Sequence, residues 1–495
     1  MTTPERVLYL ASHLHGTDAT ALLAEGPTIT WLGATQDAPP ADRTVDLRDC
    51  SLAPAFVDAH VHVTATGLAL TGLDLTDARS LDEALRRLAD HSRRLRGGVV
   101  LGTGWDETRW PEQRAPTAKE LDRASHGGVV YLARTDVHSA VASSALLAAV
   151  PGVHALAGFA GEGLVKQDAH HAVRRTALES ITASQRAAAQ RAALDDMAAK
   201  GIGSVHECAG PDISGEDDLL ALLAMDHGVE RIGYWGELGG VERARDLGAR
   251  GAAGDLFVDG AIGSRTACVY EPYADGDTLG HSYLDAGQIA EHVVACTRAG
   301  LQAGFHAIGD AAIRSVTEGL TQAAAQVGVE AIKAAVHRVE HLEVLASQDI
   351  SVLAHLGVVA SVQPAFDARW GGPEGMYATR LGPERARGMN PFAALLEAGV
   401  LLALGSDSPV TPPDPWGGVR AAVEHQTPGS GIAPDDAFAA HTQGGRLAAK
   451  QEGEGQLAVG APATFAVWEG AGPVDLSEPP PTCRTTVVAG RPVHS

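Results

Sequence analysis

The sequence predicts an α/β protein built on a closed, eight-stranded parallel barrel, on three observations. Eight short apolar runs read as strands and alternate with helical stretches. The runs before His60, His306, His341 and Asp407 each end in a residue able to ligate a metal. β-type segments sit at both ends of the chain, too few at either end to make a stable sheet alone. Alternating strand and helix implies a parallel sheet, and eight such strands close into a (β/α)8 barrel more naturally than they form an open sheet. In such barrels the active site lies at the C-terminal ends of the strands, where these His and Asp residues fall.

The expected barrel strands are residues 55–60, 202–207, 231–236, 256–260, 301–306, 334–340, 358–363 and 400–406. Helical patterns fall at 187–199, 288–299, 311–327 and 391–398. The segment between the first and second strands is far too long for a plain connection. It carries its own helix at 81–96 and strands at 99–102 and 129–133, so 66–195 reads as an inserted subdomain acting as a partial lid. The short strands at 7–10, 28–33, 463–468 and 485–493 pair the two ends into one β domain. The expected organisation is a composite β domain from 1–52 and 450–495, with the barrel over 53–449.

Composition narrows the class. The chain has 495 residues, is 45% hydrophobic and 20% charged, and carries a formal net charge of −23. That charge argues against nucleic acid or an anionic membrane as partner. The five cysteines are an odd number without close pairs, so neither a disulfide framework nor a Cys-x-x-Cys metal site is expected, and a reducing cytoplasm fits. No apolar stretch reaches membrane-spanning length, and the first residues lack a signal-peptide pattern. The expected partner is a small-molecule substrate; a homodimer is a common outcome for such a chain.

The chemistry is concentrated at the strand ends. His60 and His62, one residue apart, project to one face of the first strand. With His306, His341 and Asp407 they offer nitrogen and carboxylate ligands suited to a divalent transition metal such as zinc. Taken alone, His306 also reads as a hydrogen-bond donor behind a site, His341 has a rival in His337, and Asp407 also reads as a helix cap. The set is more specific than its members. A metal lowers the pKa of a water toward neutrality, and a carboxylate such as Asp407 can take the proton and pass it to a leaving group. His138, Trp105 and Arg265 are candidate substrate contacts, each with an equally plain structural reading.

The motifs at Pro54–His62, at Gly104-Trp105-Asp106-Glu107, at 259–267, at 306–310, at His337-Arg338-Val339-Glu340-His341 and at Gly405–Pro409 resemble the amidohydrolase superfamily. Within it they are similar to the amidohydrolase-3 branch, which holds YtcJ-like proteins and N-substituted formamide deformylases. The resemblance implies metal-dependent hydrolysis of a C–N bond in a small amide, N-formyl or cyclic amide compound. It makes His60, His62, His306 and His341 ligands, with Asp407 a ligand and general acid/base; His341 reads either as a ligand or as a catalytic residue that polarises the substrate carbonyl. Ester or lactone cleavage on the same site is the first rival, and a non-catalytic scaffold the second. Many relatives carry a carbamylated lysine on strand four that bridges two metals, where this chain has Asp255. Asp255 is much shorter, so its reach and a two-metal site are in doubt and one zinc per chain is favoured. Asp255, Asp259 and Glu207 are candidate extra ligands, the last two reading equally as hydrogen-bonding residues.

Overall fold

The structure, a computed structural model, describes residues 4–95, 97–135 and 139–495. The chain divides into two compact units, Met1–Val63 with Leu194–Ser495, and Thr64–Ala193.

In the larger unit, both chain ends enter one seven-stranded sheet. Its order is Arg491–His494, Cys483–Val488, Phe465–Glu469, Arg43–Pro54, Arg6–Leu14, Ala21–Glu25 and Thr28–Gly33. Arg43–Pro54 is the seam, antiparallel to Phe465–Glu469 and parallel to Arg6–Leu14. Only its second half is apolar and buried; the first half alternates charged and apolar residues across a solvated face. Leu14, Leu22, Ile29, Leu52, Phe465 and Val487 are packed into the core of this sheet, each fully shielded from solvent.

The seam strand runs directly into the barrel. Eight parallel strands lie in sequence order: Phe56–Val61, Ile202–Ala209, Glu230–Trp235, Gly251–Ala252, Gln302–Ala307, Arg338–His341, Val359–Val362 and Leu402–Leu404. Below they are called barrel strands one to eight. A bridge between Val61 and Ser408 joins the two edges, with the Asp407 N–H on the His60 carbonyl at 2.8 Å and the His62 N–H on the Ser408 carbonyl at 3.0 Å. Asp58, buried in strand one, adds side-chain grip: it accepts from the Ser406 N–H at 2.9 Å and the Ser406 hydroxyl at 2.6 Å. The α/β barrel expected from the sequence is the fold observed.

Strand four departs from expectation. Its paired part is Gly251–Ala252, not 256–260. The chain then turns sharply: the Leu256 N–H bonds the Gly254 carbonyl at 2.8 Å, a three-residue turn centred on Asp255. Gly254 has φ +84°, and a Cβ there would meet Cys208 Cβ and Sγ at 3.2 Å, so both backbone and space call for glycine. Pairing resumes at a single bridge, Phe257 to His306.

The second unit holds a five-stranded sheet ordered Leu164–Lys166, Ser139–Ala142, Val129–Arg134, Val99–Trp105 and Leu73–Asp74. The helix Leu81–Leu95 buries Leu81, Ala84 and Leu88 against it. No helix among the described residues is long and apolar enough to cross a membrane.

Candidate metal centre

Four imidazoles and two carboxylates meet at the C-terminal mouth of the barrel. His60 is the penultimate residue of strand one and His62 follows the strand's end. His306 lies in strand five, His341 ends strand six, and Asp407 follows strand eight. His341 and Asp407 have φ +73° and +51°. Non-glycine residues seldom take that left-handed conformation, which costs energy and clusters at functional sites. Here it turns each side chain off its strand end toward the barrel axis.

Asp255 sits among the histidines. Its Oδ1 is 3.4 Å from His60 Nε2, 3.6 Å from His306 Nδ1 and 3.6 Å from His341 Nε2, and its Oδ2 is 3.2 Å from His62 Nε2. The reach of this short side chain, in doubt from the sequence, extends to all four imidazoles. The turn at Gly254 carries the backbone inward and makes up for the missing side-chain length. Asp407 Oδ1 lies 3.2 Å from His62 Nε2 and 3.5 Å from His60 Nε2.

The outer nitrogens of three imidazoles are held by acceptors. His60 Nδ1 is 2.9 Å from Glu340 Oε2, His341 Nδ1 is 2.8 Å from Gln363 Oε1, and His306 Nε2 is 3.2 Å from the Gly260 carbonyl. With a proton on each outer nitrogen, the inner one presents a lone pair. Those inner atoms, His60 Nε2, His306 Nδ1 and His341 Nε2, together with Asp255 Oδ1, are buried and have no hydrogen-bond partner among the described residues. Buried polar atoms are rarely left so. Ligand atoms about 2.0–2.2 Å from one ion stand roughly 3–3.5 Å apart, close to the spacing here. The residues present fit a divalent metal.

The electrostatics agree. Burial lowers the His60 imidazole, but Cys208 and Asp255 outweigh it and hold it well above its ordinary value. His62 behaves likewise, with Asp255 and Asp407 outweighing burial. Burial raises Asp255, yet His60, His306 and His341 hold it well below the carboxylate range. The pocket demands positive charge, which protons or a cation can supply, and metal binding displaces such protons.

Glu340 and Gln363 were not singled out by sequence reasoning. Arg338 and Glu340 alternate along strand six, so both face the barrel interior, fully buried. The Arg338 guanidinium bonds Glu340 at 2.6 and 2.8 Å, the Ala59 carbonyl at 2.7 Å, Ser361 Oγ at 2.9 Å and His206 Nδ1 at 3.1 Å. It also lies over the Tyr234 ring at 4.4 Å. Two charged residues, Arg338 and Glu340, inside an expected barrel strand were the available signal, since buried charges must be paired. Gln363 is a polar residue just beyond the end of strand seven.

The other described candidates are engaged with other partners. Asp259 accepts the N–H groups of Ile308, Gly309 and Cys268 at 3.0, 2.8 and 2.8 Å, and its Oδ1 is 3.9 Å from His306 Nε2. It is committed to holding loops. Glu207 accepts the Val63 N–H at 2.7 Å, and burial pushes its carboxyl up to about 7. Arg265 pairs with Asp275 through two bonds at 2.9 and 2.8 Å. Trp105 is a core side chain of the 64–193 unit, its indole N–H on the Leu132 carbonyl at 2.8 Å. His138 lies outside the described residues.

A parallel barrel with imidazoles and carboxylates gathered at its mouth defines the class of metal-dependent hydrolases of this architecture. A sequence model described as "Amidohydrolase family" matches residues 43–494, and the chain belongs to that family. It is 25% identical over 473 residues to the putative amidohydrolase YtcJ of Bacillus subtilis (strain 168), spanning 87% of this chain and 86% of the relative. It is 25% identical over 462 residues to an N-substituted formamide deformylase of Arthrobacter pascens, spanning 85% and 83%. An uncharacterized metal-dependent hydrolase from Pyrococcus furiosus shares the fold, with TM-score 0.80 at 23% identity, covering 96% of this chain and 100% of that one.

Proposed function

We propose that this protein hydrolyses the C–N bond of a small amide, N-formyl or cyclic amide compound, using one zinc-type ion per chain. The observation that carries the reading is the set of inward-facing imidazole nitrogens, each locked from behind by Glu340, Gln363 or Gly260. His60, His62, His306, His341 and Asp407 would offer the ligands for the ion, with Asp255 among them. When bound, such an ion acidifies a water and polarises a carbonyl. The named formamide deformylase supports a formyl or related amide as substrate class.

The protein's own residues do the rest. Asp407 is 7% exposed and its backbone N–H is fixed to the His60 carbonyl at 2.8 Å. Its carboxylate stands at the mouth, where it can take a proton from the attacking water and return it to the leaving nitrogen. Glu340 keeps His60 oriented, and Gln363 keeps His341 from rotating.

The test is hydrolysis of a panel of formamides, cyclic amides and matched esters by protein as purified, after chelation and after zinc return. Amide turnover lost on chelation and restored by zinc is expected. Turnover of esters alone, or turnover indifferent to chelation, contradicts the proposal. Elemental analysis giving two ions per chain contradicts the proposed count.

A further inference from the structure

The helix Pro364–Trp370 follows barrel strand seven and sets one face against the metal centre. Phe366 on that face stacks on the His341 ring, with centroids 6.1 Å and planes 9° apart. Arg369 and Trp370 come three and four residues later, so they share the face that carries Phe366. Trp370 meets the Phe366 ring at 4.9 Å, and the Arg369 guanidinium lies over Trp370 at 5.5 Å. Arg369 Nη1 also donates to the Val410 carbonyl at 3.3 Å. Val410 closes the turn that Asp407 opens, its N–H on the Asp407 carbonyl at 2.8 Å. Two hydrogen bonds with one residue between them place the guanidinium no more than about 10 Å from the Asp407 carbonyl oxygen.

Arg369 is exposed, yet it is held, by a ring on one side and a carbonyl on another. A guanidinium fixed in this way is ordered before a ligand arrives. It has no carboxylate partner among the described residues, and its other N–H groups find no acceptor there. Acidic residues outnumber basic ones by 61 to 38 in this chain, so the missing partner is not for want of carboxylates. The cations of neighbouring loops are engaged. Arg265 and Arg380 both pair with Asp275, and Arg385 donates to the carbonyls of Glu271 and Pro272. The negative charge of the chain as a whole is screened beyond about 8 Å at physiological ionic strength. What an anion meets at this point is therefore set by the guanidinium beside it, whose planar fork matches a carboxylate.

We propose that Arg369 binds a carboxylate carried by the substrate, so that the amide hydrolysed is one whose substituent ends in a carboxylate. This rests on the amide-hydrolase reading above and names its substrate class. Arg369 holds the far end of the substrate and does not touch the reacting atoms.

The experiment uses two series on the protein as purified. In the first, kcat/KM is measured for the N-formyl derivatives of glycine, 4-aminobutanoate and 6-aminohexanoate, each against its own carboxamide. At the best spacing the carboxylate should be preferred at least about tenfold. Arg369→Ala, at an exposed side chain, should abolish that preference. Arg369→Lys keeps the charge without the planar fork and should retain part of it. In the second series, calorimetry follows the N-methanesulfonyl derivatives of the same amino acids and their carboxamides, which bind without turnover, and the same preference and the same loss are expected. If no formyl compound is hydrolysed but the sulfonyl carboxylates still bind better than their carboxamides, and only with Arg369 present, the hydrolysis reading fails and the Arg369 site stands. No preference for a carboxylate at any spacing in the sulfonyl series overturns the proposal. So does a preference that Arg369→Ala leaves intact, which would put the carboxylate on the metal or on another cation.

Discussion

In the proposed reaction, Asp407 is the residue on which proton transfer rests. Asn keeps its shape and still offers an oxygen, but it cannot cycle a proton. Asp407→Asn should lower kcat by roughly 10²-fold or more while metal content and melting temperature stay near wild type. Near-normal turnover would show that another group moves the proton. Glu340 acts from behind His60. Glu340→Gln removes the carboxylate that holds both His60 Nδ1 and the buried Arg338. Metal affinity should drop about 10–100-fold, the usual cost of losing such an orienting partner. Stability should fall by about 3–5 kcal/mol, because a buried guanidinium is left uncompensated. Competition with a metal buffer and a denaturant titration read the two effects separately. Unchanged affinity would mean that His60 needs no such support.

At the scale of elements, strand four decides how the site is built. Gly254→Ala forces a side chain into a φ of +84° and against Cys208. Stability should fall by about 1–3 kcal/mol, and metal content should fall with it as Asp255 is displaced. Loss of stability with full metal retention would show that the turn does not position Asp255. Strand four also marks the limit of what the sequence discloses. Strands one, five, six and eight were legible because apolar runs end in His or Asp, and a run of that kind has little else to be. The inward turn at Asp255 is a backbone event whose trace is one glycine among 57. Likewise the seam Arg43–Pro54 was missed: its first half faces solvent, so its charges hide the strand. Glu340 was visible as a buried charge in strand six, but its partner His60 is 280 residues away, and no spacing rule connects them.

The whole molecule carries a pH signature apart from the metal centre. Burial, with smaller contributions from His292 and Lys450, lowers His337 to about 3; burial, against a bond to the Val57 carbonyl, lowers His441 to about 4. The folded protein keeps both imidazoles neutral, while the unfolded chain protonates them near 6.5. Their contribution to stability is therefore full above pH 6.5 and is lost as pH falls toward 4 and then 3. Carboxyls raised by burial, such as Glu207 and Glu343 at about 7, act in the opposite sense over the same interval but are common to both proteins, so between pH 7 and 5 the melting temperature of the wild type should fall relative to that of His337→Asn. Parallel curves for the two proteins would remove His337 from the explanation. The central claim is that the strand-end histidines of this barrel hold a metal, and elemental analysis tests it most directly. Purified wild-type protein should contain about one zinc-type ion per chain, and the His60→Ala, His62→Ala double variant, folded by its melt, should contain almost none. The same metal content in both proteins would contradict the account.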